Sequence, residues 1–228
     1  MIYISGDPHG ELDRFIELSK QGEEKWTEKD YLIFCGDFGY VKPENKEFLD
    51  MLEREKKYTI CFCDGNHENF PEINSYPTVM WHGGEVHKIR ENIIHLKRGQ
   101  IYEIDGKSFF VFGGGYSRDR WRRKKGESYW DEELPVGAEL DIGAESLKNV
   151  NFRVDYIITH TAPKEVIYQM GCIPDPHEKQ LNGYLDWVLY DIEFKKWFFG
   201  HWHRQQEIIA LNGKPLRAMY YDIAEIKE

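Results

Sequence analysis

The sequence predicts an α/β fold, and three observations support this class. Over residues 1–63, short apolar stretches alternate with amphipathic ones in the order strand, helix, strand, helix, strand. Residues 79–115 switch to short strands separated by glycine-containing turns, which is typical of β-hairpins. No stretch rich in Pro, Gly or Ser divides the 228 residues, so a single domain over residues 1–228, built on two sheets, is the simplest organisation.

The N-terminal elements follow from their residue patterns. Three apolar runs predict strands, namely MIYIS, YLIFC and YTICFC. Between them, residues 11–20 carry apolar side chains at helical spacing, and residues 43–57 predict a helix that begins at Pro43. Because the connections are short, this order predicts a parallel sheet with helices packed against it.

The C-terminal half continues the alternation of helices and strands. Residues 138–149 and 178–192 predict helices, and the strands VDYIITH and KKWFFG are their partners. Two more strands, EIIALN and PLRAMYYDI, are joined by an Asn-Gly turn. The strand pattern alone does not distinguish two facing sheets from one doubly wound sheet.

Composition argues against several classes of protein. A net charge of −10 disfavours nucleic acid or an anionic membrane as a general partner. No apolar run approaches the roughly 20 residues that span a bilayer, and the start MIYISGDPHG lacks the features of a signal peptide. We therefore expect a cytoplasmic protein, and we expect its cysteines to be buried free thiols because their spacing does not suit a zinc site.

Polar side chains follow five of the predicted strands, four of them directly after a glycine that lets the backbone turn. The five are Asp7, Asp37, Asn66, His160 and His201. Ligands of open α/β sheets bind at this end of the strands, and carboxylates, an amide and imidazoles suit a divalent metal. Asp7 and His9 are two residues apart, as are His201 and His203, so each pair projects to one side of an extended chain.

These motifs resemble those of the calcineurin-like metallophosphoesterases. In order, they are Gly6-Asp7-Pro8-His9-Gly10, Gly36-Asp37, Gly65-Asn66-His67-Glu68, His160 and Gly200-His201-Trp202-His203. The resemblance implies a four-layer α/β/β/α sandwich of two mixed sheets. It also implies hydrolysis of a phosphate ester, either a monoester or a diester, with nucleotides among the candidates.

The resemblance gives each motif residue a role. One divalent ion would be held by Asp7, His9 and His203, a second by Asn66, His160 and His201, and Asp37 would bridge the two. A hydroxide between the ions would attack phosphorus while His67 protonates the leaving alkoxide. Mn²⁺ is the first choice of metal, with Fe or Zn as alternatives.

Two features leave alternatives open. Tyr40 stands where the protein-phosphatase branch has an aspartate that orients the catalytic histidine, which disfavours the second hypothesis, a phosphoserine/phosphothreonine phosphatase. What orients His67 is therefore an open question. A third hypothesis is a metal-binding interaction module without activity. The basic segment RDRWRRKK, residues 118–125, is either solvated surface or a contact to substrate phosphate through Arg118, Arg122 and Arg123. His82, His87 and His95 are expected at the surface or in packing roles.

Overall fold

Two β-sheets face each other in a computed structural model that describes residues 1–227. The strands are β1 (Ile2–Ser5), β2 (Tyr31–Phe34), β3 (Thr59–Cys63), β4 (Thr78–Trp81), β5 (Gly84–Arg90), β6 (Ile93–Leu96), β7 (Gln100–Ile104), β8 (Lys107–Phe112), β9 (Tyr156–Thr159), β10 (Lys196–Phe199), β11 (Gln206–Ile209), β12 (Pro215–Ala218) and β13 (Ile223–Ile226). The α-helices are α1 (Asp13–Lys20), α2 (Lys46–Glu55), α3 (Phe70–Asn74), α4 (Gly137–Asn149), α5 (Lys164–Gln169) and α6 (Lys179–Asp191). Across residues 1–227, every helix is too short or too polar to cross a lipid bilayer.

Both sheets mix parallel and antiparallel pairs. The first has the order β13-β1-β2-β3-β6-β5-β4, and the second has the order β11-β12-β10-β9-β8-β7. The strands β1, β2, β3 and β6 are parallel neighbours, as are β8, β9, β10 and β12. Hairpins and the C-terminal strand supply the antiparallel pairs at the edges. The prediction of two mixed sheets is therefore confirmed.

Three apolar clusters separate the layers. The central one lies between the sheets and includes Ile33 of β2 and Ile158 of β9. The neighbouring Leu32 points to the opposite face and packs against α1 and α2, because successive side chains of a strand alternate between faces. In the same way, Ile157 packs against α5 and α6 outside the second sheet. Helix, sheet, sheet and helix layers follow in that order, as the α/β/β/α sandwich requires.

The C-terminal strands differ from the prediction. The run PLRAMYYDI forms β12 in the second sheet and then leads to β13, which pairs with β1 in the first sheet. The chain crosses between the sheets at residues 219–222, where the Arg14 guanidinium donates to the carbonyl oxygens of Tyr220 and Tyr221 at 3.0 Å. The sequence does not predict the break because both halves of the run are apolar.

Candidate metal centre

The predicted metal ligands lie together just beyond the ends of five strands. Asp7 follows β1, Asp37 follows β2 and Asn66 follows β3, while His160 and His201 follow β9 and β10. Strands of both sheets therefore contribute to the same site.

Glycines precede these side chains for two different reasons. Gly36 has a φ of 93°, so it turns the chain through a conformation that disfavours other residues. A Cβ at Gly65 would lie 2.1 Å from Asp37 Oδ1, and one at Gly200 would lie 2.0 Å from Asp7 Oδ1. At Gly65 and Gly200, the missing side chain makes room for a carboxylate.

Four of the predicted site residues have a strained backbone conformation. His9, Asp37, His201 and His203 have φ values of 52°, 49°, 66° and 48°. Residues other than glycine rarely adopt this left-handed region, which costs on the order of 1–3 kcal/mol each, and such residues cluster at functional sites. The strain accompanies the convergence of these four side chains on one point.

The lone pairs of four donor atoms converge near His160. Its Nδ1 donates to the carbonyl oxygen of Cys35 at 2.8 Å, so Nε2 carries a lone pair. That Nε2 lies 3.0 Å from Asn66 Oδ1 and 3.1 Å from His201 Nδ1. Asp37 Oδ1 lies 3.4 Å from the same nitrogen. Burial lowers the pKa of His160 to about 4, so the ring is neutral at pH 7. Donors about 2.1 Å from one ion are about 3.0–3.4 Å apart, so this set matches the ligands of a single cation.

The Glu178 carboxylate contacts the His201 ring on the side opposite to His160. This carboxylate is fully buried, and its Oε1 lies 3.4 Å from His201 Nε2 and accepts from the Tyr116 N–H at 2.7 Å. Although burial opposes it, the carboxylate raises the pKa of His201. With Nε2–H facing Glu178, Nδ1 presents its lone pair toward His160, an arrangement typical of histidine metal ligands. The sequence does not predict this role, because Glu178 lies in the loop-like IPDPHEK and its only signal is an acid directly before α6.

Asp7, His9 and His203 form the other group of donors, all within 4.8 Å of one another. His203 Nε2 lies 3.6 Å from Asp7 Oδ2, and His9 Nε2 lies 3.2 Å from Asp37 Oδ2. Asp7 Oδ1 is buried and has no hydrogen-bond partner within residues 1–227. Because a buried carboxylate oxygen without a partner is costly, this atom fits a bound cation.

The two carboxylates titrate in opposite directions. Burial and the neighbouring Asp37 raise the pKa of Asp7 well above its ordinary value. Burial also acts on Asp37, but His160 and His9 hold the pKa of Asp37 well below its ordinary value. The chain's own groups thus stabilise one negative charge of the pair better than two, and divalent ions would stabilise both.

Two further contacts orient predicted ligands. Asn66 Nδ2 donates to Ser117 Oγ at 3.1 Å, so its Oδ1 is turned toward the other donors. The Tyr220 ring stacks on His203 with centroids 4.6 Å apart and planes 12° apart. No motif in the sequence identifies Ser117 or Tyr220.

His67 contacts an arginine rather than a carboxylate. Arg123 Nη2 lies 2.7 Å from Nε2 and 2.8 Å from Nδ1 of the ring, and Arg123 also pairs with Asp119 at 2.9 Å. Burial, with the Arg123 charge, lowers the pKa of His67 to about 4. Tyr40 is fully buried among aromatic rings and donates to the Glu11 carbonyl oxygen. The group beside His67 is therefore Arg123, from the basic segment.

The remaining cations of the basic segment have different surroundings. Arg120 pairs with the buried Glu133 at 2.9 Å, and Arg122 is exposed with its guanidinium 4.2 Å from the Trp121 ring centre. An open cleft of about 600 Å³ adjoins the predicted ligands, and its lining includes Asp37, Asn66, His67, His201, His203 and Arg118. Arg118 lines the cleft, Arg123 contacts His67, and Arg122 does not line the cleft. Contact of these three arginines with substrate stays a prediction.

The four-layer sandwich, with metal-ligand side chains gathered beyond the strand ends, has the form of a metal-dependent phosphoesterase. The model of the calcineurin-like phosphoesterase family matches residues 1–205, and the chain belongs to this family. Members of this family use divalent metal ions to hydrolyse phosphate esters.

Solved structures share the fold at low sequence identity. The chain is similar to a putative 5′-nucleotidase from Staphylococcus aureus, with 13% identity and a TM-score of 0.53 over 97% of this chain and 49% of that one. It is also similar to the protein TT1561 of Thermus thermophilus, with 12% identity and a TM-score of 0.52 over 96% and 89% of the two chains. The chain thus spans about half the length of the first neighbour. No curated protein matches it significantly.

Proposed function

We propose that this chain hydrolyses phosphate esters at a centre that holds two divalent metal ions. The first ion would be held by Asp7, His9 and His203, the second by Asn66, His160 and His201, and both would contact Asp37. The observation that carries the proposal is the convergence of buried ligand atoms, with Asn66 Oδ1 at 3.0 Å and His201 Nδ1 at 3.1 Å from His160 Nε2. A divalent cation bound by these three atoms would accept a lone pair from each of them.

The ions would supply a hydroxide nucleophile at neutral pH and stabilise charge on the phosphoryl oxygens. The chain's contribution is to set the charge of the centre. Asp7 and Asp37 are anionic ligands, whereas Asn66 is neutral, so the loaded centre keeps a positive charge that attracts phosphate. An aspartate at position 66 would remove that charge.

His67 is proposed to protonate the leaving alkoxide. It lines the cleft beside Asp37 and Asn66, but the contact with Arg123 disfavours a proton on its ring. A phosphate dianion attracts guanidinium groups strongly. When substrate binds, Arg123 would move to the phosphate and leave the His67 ring. The ring could then carry a proton, so His67 would become an acid only when substrate is present.

The proposed substrates are phosphomonoesters or phosphodiesters. Nucleotides are included, since one structural neighbour is a putative 5′-nucleotidase. Mn²⁺ is the first metal proposed, with Fe or Zn as alternatives, because mixed oxygen and nitrogen ligands suit all three. Tyr40, in place of an aspartate beside the acid, disfavours a phosphoserine/phosphothreonine protein phosphatase.

The test is hydrolysis by protein that has been stripped of metal and re-supplied with Mn²⁺. The panel is para-nitrophenyl phosphate, its bis ester, a nucleoside monophosphate and a phosphopeptide. We expect Mn²⁺-dependent turnover that falls at least about a hundredfold in Asp37→Asn, because this change removes a shared anionic ligand. The matched control is Asp141→Asn, exposed on α4, which keeps wild-type turnover. No turnover with any metal would contradict the proposal, and turnover far higher on the phosphopeptide would favour the protein phosphatase.

A further inference from the structure

Arg204 lines the cleft without a partner. It follows His203 directly and is exposed, and within residues 1–227 it makes no hydrogen bond or ion pair. By contrast, Arg123 at the same site is paired with Asp119 at 2.9 Å. In a chain with a net charge of −10, an unpaired guanidinium beside the centre is available to bind an anion.

Arg118 lies in the same cleft. Contacts with its neighbours hold the side chain in place, but they neutralise little of its positive charge. Its guanidinium carbon is 5.0 Å from the centre of the Trp202 ring, and it donates to the carbonyl oxygen of Ile173. The carboxylate paired with it, on Asp175, is 4.0 Å away and also accepts from His177 at 2.8 Å. Arg118 is therefore positioned but keeps much of its charge available.

Apolar surface is exposed in the same cleft. Ile173 is 73% exposed and lines the cleft together with Cys172 and Tyr116. The Tyr116 ring is fixed by stacking on His177, with centroids 4.3 Å apart. A large apolar side chain exposed in an otherwise charged cleft indicates contact with an apolar part of a ligand.

We infer that the substrate is a phosphate ester whose organic group has an apolar body and carries a second anionic group. The inference rests on the proposed function, because the reacting phosphoryl group is assigned to the metal centre. The apolar body packs against Ile173, and the second anion binds Arg118 and Arg204. Water adds to phosphorus as the bond from phosphorus to the alcohol oxygen breaks. The products are phosphate and an alcohol that retains the second anion.

The test uses two monoesters of nearly the same shape, 4-carboxyphenyl phosphate and 4-carbamoylphenyl phosphate, which differ in one negative charge. The quantity measured is the ratio of their kcat/KM values in wild type, Arg204→Gln and Arg118→Gln. We expect each substitution to lower the ratio about fivefold, the strength of one exposed ion pair. Intrinsic leaving-group reactivity cancels because the same two esters are compared in every protein. The control is Arg54→Gln, exposed on α2, which keeps the wild-type ratio.

Salt provides a second measurement on the same ratio. Exposed charges are screened within about 10 Å at 0.1 M salt, so the preference for the carboxylate ester should decrease as ionic strength rises. A ratio unchanged in both Arg204→Gln and Arg118→Gln, with both esters still hydrolysed, would overturn the inference and leave the proposed function standing. If neither ester is hydrolysed with any metal, the proposed function fails and the inference fails with it.

Discussion

At the scale of single residues, two of the predicted histidine ligands, His160 and His201, each contact a second group on the side of the ring away from the other ligands. The Cys35 carbonyl oxygen takes the hydrogen of His160 Nδ1, and the Glu178 carboxylate faces His201 Nε2. In His160, the nitrogen that faces the other predicted ligands is thereby left without a hydrogen. A cation bound by these ligands would not have to reorient the two rings, which saves that cost on binding.

Replacing Glu178 tests this arrangement. We expect Glu178→Ala to weaken binding of one of the two ions by about 10–100-fold, the usual effect of losing the group behind a histidine ligand. Glu178→Gln should lose less affinity for the ion, because its amide oxygen can still accept a hydrogen bond from His201. The measurement is titration of metal-free protein with Mn²⁺ by calorimetry, which reads affinity and stoichiometry without turnover.

The control for this titration is Glu47→Ala, since Glu47 is exposed on α2. Far-ultraviolet circular dichroism of the metal-free variants establishes that each is folded. Wild-type affinity for both ions in a folded Glu178→Ala would show that the carboxylate does not act through His201.

The sequence identifies the predicted ligands but not the groups that orient them. Asp37 and Asn66 are recognisable because each follows a glycine at the end of an apolar strand, and that pattern recurs in a fixed order along the chain. Glu178 and Tyr220 act through another side chain and reach it by contacts between distant segments. Such contacts depend on the three-dimensional path of the chain, so no local pattern of residues predicts them.

At the scale of elements, the strands and hairpins follow their sequence patterns, whereas the two shortest α-helices do not. The helices α3 and α5 have five and six residues, which is too short for a 3.6-residue period to be recognised. The predicted hairpins over residues 79–115 are confirmed, but they divide between the sheets. The strands β4 to β6 join the first sheet and β7 and β8 the second. Sheet membership depends on which face each strand buries, and a turn motif does not specify that.

The hairpin of β5 and β6 places two histidines side by side inside the fold. His87 lies opposite His95, both are buried, and their Nδ1 atoms are 2.9 Å apart. Burial, with His95 and Lys97 nearby, lowers the pKa of His87 to about 4. The packing role predicted for both histidines agrees with this position, and it makes the hairpin sensitive to acid.

Acid should destabilise the protein partly through His87. In the unfolded chain this ring binds a proton near pH 6.5, whereas in the folded chain it does so only near pH 4. Its contribution to stability is therefore present above pH 6.5 and is lost as the pH falls to about 4, with a maximum of about 3 kcal/mol. We expect His87→Gln to show a correspondingly smaller fall in the free energy of unfolding over this range.

The measurement is urea unfolding at a series of pH values with metal removed, so that the ligands contribute equally to both proteins. The slope of the free energy of unfolding against pH decides the result, because the substitution can also change this free energy by the same amount at every pH. Parallel curves for wild type and His87→Gln would rule out the proposed contribution.

At the scale of the whole molecule, the centre joins the two sheets. Asp7, Asp37 and Asn66 follow strands of the first sheet, whereas His160 and His201 follow strands of the second. The central apolar cluster holds the sheets together beneath the site. Above it, predicted ligands from both sheets lie within 3.0–3.4 Å of His160 Nε2, so this end of the sandwich is the part that a bound cation would stabilise most.

Metal should therefore raise the thermal stability of the whole fold. An ion present at about 100 times its Kd stabilises the native state by about 2.7 kcal/mol, and in a domain of this size that corresponds to roughly 5–10 °C in Tm. We expect the Tm of stripped protein to rise with Mn²⁺ concentration in scanning calorimetry. Asp37→Asn should lose most of this rise and Asp141→Asn should keep it. A Tm independent of Mn²⁺ in the wild type would mean that the donors from the two sheets do not bind a common ion, because an ion held by both must oppose their separation on unfolding.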